Sequence, residues 1–85
     1  MKYLDTETER YQYKVRQTLN GWAIMVHIVP TNEWLALTPE VALQAQVQLF
    51  DSYSYSFPAG QKAEARMMLA MVANLNGWTK VEENE

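Results

Sequence analysis

The stretch from Tyr11 to Val29 reads as two alternating runs around a turn. In Tyr11–Leu19 and Trp22–Val29, β-branched and aromatic residues recur at every second position, as in half-buried strands. Between them stands Asn20-Gly21, a dipeptide that tolerates the positive φ required at both centres of a type I′ turn. A two-residue loop there predicts that Leu19 faces Trp22, Gln17 faces Ile24, Val15 faces Val26 and Tyr13 faces Ile28. That face is apolar except for Gln17. The other face pairs Thr18 with Ala23, Arg16 with Met25, Lys14 with His27 and Gln12 with Val29. A one-residue slip would destroy this sorting.

Pro30-Thr31-Asn32 ends the second strand, and Glu33–Leu37 suits a short third strand of a meander. Thr38 is a fitting N-cap, Pro39 a fitting first helical residue, and Glu40 lies at the positive end of the dipole. The following VALQAQVQLF fits two readings. As a strand, Val41, Leu43, Ala45, Val47 and Leu49 alternate with glutamines. As a helix over 39–50, Gln44, Gln48 and Asp51 share a narrow polar arc. The capping residues and the helix-forming Ala, Leu and Gln favour the helix.

Asp51-Ser-Tyr-Ser-Tyr-Ser-Phe57 alternates serine with aromatics, as a short strand or an ordered loop. Pro58-Ala-Gly60 is a break. Gln61–Leu75 predicts a helix with Ala65, Met68, Leu69, Val72 and Leu75 on its core face and Lys62 and Arg66 opposite. Asn76-Gly77 supplies a left-handed stop, and Trp78 can fold back on the helix end. Leu-Asn-Gly-Trp occurs at both 19–22 and 75–78, but the flanks differ, so the reuse of a turn dipeptide is no repeat. The expected fold is α+β: a small antiparallel hairpin or three-stranded meander packed against one or two helices.

At 85 residues and 48% hydrophobic content, the chain is one domain, 1–85, too apolar for disorder. Its core is correspondingly small, with about 64% of the unfolded surface hidden. The net charge of −3 is uneven. Residues 1–9 carry −2 and residues 82–85 carry −3, whereas 10–81 carry +2. Acidic ends, 1–9 and 80–85, read as frayed and solvated. The slightly basic body is too weakly charged for strong non-specific nucleic-acid binding. No secretory h-region and no membrane-length apolar run occur, so a cytoplasmic protein is expected and no membrane partner.

The absence of cysteine removes disulfides, thiolate metal sites and cysteine nucleophiles. A single histidine, His27, removes multi-histidine metal chemistry. No phosphate loop, nucleophile elbow, zinc-protease or calcium-loop motif occurs. No catalytic residue, cofactor or metal ion is therefore expected, and the chain reads as a non-enzyme.

The candidate sites are surfaces. Arg10, Lys14 and Arg16 lie on one strand face, which Met25 and His27 share. Such a mixture of Arg, Met and His resembles interface composition. Lys14 opposite His27 would disfavour the imidazolium, and His27 itself is the one candidate switch. Tyr53 and Tyr55, set among serines, form a second candidate binding segment. Met67 and Met71 flank the core stripe of the last helix and offer a third, greasy surface.

These features suit a stand-alone protein-interaction module that occupies the surface of a larger protein or nucleoprotein. Short, cysteine-free, motif-poor chains are frequent among phage and mobile-element accessory proteins. Inhibitors of host nucleoprotein machines, such as CRISPR effectors, belong to that class. The alternatives are a small nucleic-acid-binding domain using the basic strand face, and a subunit of a homo-oligomer.

Overall fold

A computed structural model describes residues 2–4, 11–51 and 53–81. Six strands and two helices follow in the order β1 (Lys2–Leu4), β2 (Tyr11–Thr18), β3 (Gly21–Ile28), β4 (Glu33–Ala36), α1 (Pro39–Ala45), β5 (Ser56–Pro58), α2 (Lys62–Asn76) and β6 (Thr79–Val81). The sheet order is β4-β3-β2-β1-β6, with β5 also paired to β3. Every pairing is antiparallel. The expected α+β meander is β2-β3-β4, and both helices are present.

The sheet is wider than the sequence suggested. Lys2–Leu4 and Thr79–Val81, within or beside the ends expected to fray, pair with each other, and β1 also pairs with β2. Asp5, Glu7, Glu9, Arg10, Glu82, Glu83 and Glu85 lie outside the described residues.

The hairpin keeps its predicted faces but not its predicted register. Thr18 pairs with Gly21, Gln17 with Trp22, Val15 with Ile24, Tyr13 with Val26 and Gln12 with His27. Each residue of β2 therefore meets a partner two positions nearer the turn than expected. A shift of two preserves the face of every side chain, because the side-chain period of a strand is two. The turn centres are Leu19 and Asn20, and neither has positive φ. Leu19, expected on the apolar face opposite Trp22, is instead 99% exposed at the tip. Gly21 is needed for another reason. A Cβ there would lie 2.0 Å from the Phe57 carbonyl oxygen, because β5 runs directly alongside.

β3 is the central strand. β2 pairs along one edge, while β4 and β5 share the other, meeting residues 25–28 and 21–23 respectively. Ile24 joins the two halves: its amide donates to the Tyr55 carbonyl at 3.1 Å, and its carbonyl accepts from the Leu37 amide at 2.8 Å.

One side of this sheet carries the core. Tyr13, Ile24 and Val26 pack with Leu37, Ala42, Tyr55, Met68, Leu69 and Val72. Trp78, expected to fold back on the helix end, stacks its ring instead on Tyr13 of β2 with centroids 3.9 Å apart. Its amide donates to the Ala73 carbonyl after the left-handed stop at Gly77. On α2 the buried face includes Ala73 rather than the expected Leu75, which is 39% exposed.

The helix reading of the glutamine-rich segment holds for its first half. Thr38 Oγ1 accepts from the Val41 amide, Pro39 opens the helix, and Gln46 closes it in a left-handed conformation. Val47–Phe50 has no regular structure. Asn76 of α2 secures it, bonding both the amide and the carbonyl of Gln48 and the Val72 carbonyl.

Candidate functional site

Among the described residues, alternation along the strands leaves the second sheet face without a helix. Gln12, Lys14 and Arg16 stand there on β2, and Met25 and His27 on β3. On β4, Trp34 is the cross-strand partner of His27, and Ala36 that of Met25. The short turn Val29–Asn32 fixes this last register, with the Asn32 amide donating to the Ile28 carbonyl at 2.8 Å and Asn32 at φ 58°.

Trp34 organises the face. The His27 ring stacks on it with centroids 4.6 Å apart and planes 16° from parallel. The Lys14 ammonium stands over the indole at 4.3 Å from the centroid, and the Arg16 guanidinium carbon lies at 5.2 Å. Reaching from β4 to residues of β2, the indole spans the strand between them. Each cation–π contact contributes about 0.5–1 kcal/mol where exposed. Lys14, Met25, His27 and Trp34 are half-buried, and Arg16 is exposed.

His27 is held from both ends. Its Nδ1 lies 3.1 Å from Gln12 Oε1 and its Nε2 2.9 Å from Asn32 Oδ1. Donor and acceptor roles in the two contacts follow the tautomer of the ring, and turning an amide over swaps its oxygen for a donor. This corrects the expected pairing of Lys14 with His27: Lys14 is opposite Met25, and the cross-strand neighbour of His27 is Gln12. Three neighbours thus fix the imidazole, which positions the Trp34 ring.

The expected cluster of Lys14, Arg16, Met25 and His27 therefore does come together on one face. Arg10 lies outside the described residues. Trp34 was missed, although the third strand containing it was expected. Its signal was the alternation of Trp34 and Ala36 with Leu35 and Leu37, but only the β3–β4 register shows that it meets His27.

The tyrosine segment divides. Tyr55 is 7% exposed and belongs to the core. Its hydroxyl accepts from the Phe50 amide at 2.8 Å and donates to the Phe50 carbonyl at 3.1 Å. Those bonds satisfy the buried hydroxyl and remove Tyr55 from any outward surface. Tyr53 is 56% exposed and sets its ring edgewise against Phe50 at 5.8 Å. Met67 and Met71 are exposed on the outer side of α2.

Among the described residues no helix is long and apolar enough to cross a membrane. No protein-family model matches the chain, and no curated protein or solved structure matches it either.

Proposed function

We propose that this domain is a non-enzymatic protein-interaction module that docks through the open face of β2, β3 and β4. One observation carries the reading. Trp34, a large apolar ring, is held half-buried on a helix-free sheet face by His27, Lys14 and Arg16. Trp and Arg are the residues that most often dominate binding energy at interfaces. A ring already fixed by its neighbours also loses little freedom on binding. The domain would act by covering a surface on a larger protein or nucleoprotein, in the manner of an accessory inhibitor, without turnover.

Affinity capture tests this with wild-type bait, a Lys14→Glu/Arg16→Glu double variant and Met67→Ala on the outer side of α2. The expected result is one specific partner retained by wild type and Met67→Ala and lost by the double variant. Retention by the double variant and loss by Met67→Ala would move the interface to α2.

A further inference from the structure

We infer that the partner meets this face with an acidic protein segment, whose carboxylates engage Lys14 and Arg16 while neighbouring apolar side chains cover Met25 and Trp34. The inference rests on the interaction reading above and names the chemistry of the partner.

Charge carries the argument. The described residues of this face include two cations and no carboxylate: Gln12, Lys14 and Arg16 on β2, Met25 and His27 on β3, and Trp34 on β4. Within the described residues, the contacts of the Lys14 and Arg16 head groups are with the Trp34 ring. A ring holds an exposed cation more weakly than a carboxylate does, because charge-assisted and bidentate hydrogen bonds are the stronger class. An incoming carboxylate can therefore draw both cations into pairs. The indole has already oriented the two long side chains, which lowers the ordering cost of pairing.

The same geometry disfavours nucleic acid. A base-stacking platform needs an open ring face. His27 stacked on the indole and the Lys14 ammonium over it already compete for the Trp34 ring. Among the described residues the face has two cations, few for a backbone-tracking groove.

The test is a titration of the full chain followed by NMR, reading the Trp34 indole N–H and the amides of β2 to β4. Three probes are compared: a short peptide of alternating glutamate and leucine, the same peptide with glutamine for glutamate, and oligothymidylate of equal charge. The expected result is saturable shifts on this face from the acidic peptide alone, weakening as salt is raised. Arg16→Glu should lower the affinity about tenfold or more with a wild-type amide spectrum elsewhere. Lys62→Glu should leave the affinity unchanged, because Lys62 stands over a different ring, Trp22, at 4.8 Å.

Equal shifts from the glutamine peptide would overturn the acidic partner and leave the interaction reading standing. Tighter binding of oligothymidylate would assign the face to nucleic acid and overturn both. No shift with any probe would overturn the acidic partner, and affinity capture would then decide the interaction reading separately.

Discussion

Gly21 shows how one residue can be suited to a turn and be required for something else. Its φ of 156° and the approach of Phe57 leave no space for a side chain. Gly60 and Gly77 also have positive φ, at 88° and 71°, but open space surrounds both. Gly21→Ala should therefore cost at least about 2 kcal/mol, more than the backbone strain of roughly 1–2 kcal/mol expected for Gly60→Ala. Urea unfolding of the two variants checks this. Equal losses would mean that β5 does not press against the hairpin. The Asn-Gly signal was legible in the sequence, but the reason for the glycine was not. It comes from a carbonyl far along the chain, which local turn preferences cannot report.

At the scale of elements, α2 does more than supply a core face. Through Asn76 it holds the irregular Val47–Phe50 segment by two hydrogen bonds to Gln48, while a third, to the Val72 carbonyl, fixes the Asn76 side chain on its own helix. Asn76→Ala should cost about 1–3 kcal/mol, and the Gln48 amide should exchange faster with solvent. Asn76→Asp keeps an oxygen for the Gln48 amide but cannot donate to the two carbonyls, so its loss should be intermediate. Unchanged exchange at Gln48 in Asn76→Ala would show that the segment is secured elsewhere.

Element boundaries were legible where a backbone group is satisfied locally. Thr38 and Gly77 mark helix ends through bonds within a few residues, and Pro39 through its fixed φ. The end of α1 at Ala45 was not legible. Val47, Leu49 and Phe50 pack against the core from irregular structure, so their apolarity continues the helical pattern without continuing the helix. Strand faces were legible because they repeat every two residues. Register was not, since shifts of two leave the apolar pattern unchanged.

Across the whole molecule, the sheet separates the core from the face proposed to dock a partner. One side buries Tyr13, Ile24 and Val26 beneath the helices, and the other presents Trp34 with its cations and His27. Substitution of Arg16, the exposed one of the two cations, should thus affect partner binding while costing stability no more than its cation–π contact, about 0.5–1 kcal/mol. The basic strand face was legible as a group of residue types. Its centre was not, because Trp34 joins it through a cross-strand pairing that depends on the turn at Val29–Asn32.

The pairing of β1 with β6 also sets a timetable. Lys2 meets Val81 across nearly the full length of the sequence, so the outer part of the sheet closes the longest loop in the fold. Loop closure of this kind has an entropic cost that grows with length, and it slows folding. During refolding, β2 to β5 and α2 can assemble before β6 docks, whereas β1 must wait for its second neighbour. In pulse-labelled refolding, the amides of Ile24 and Val26 should gain protection before that of Lys80. Simultaneous protection would show that the domain folds in one step. If the order holds, a folding intermediate with a finished core carries β1 still lacking one partner, and that unpaired edge is open to another chain.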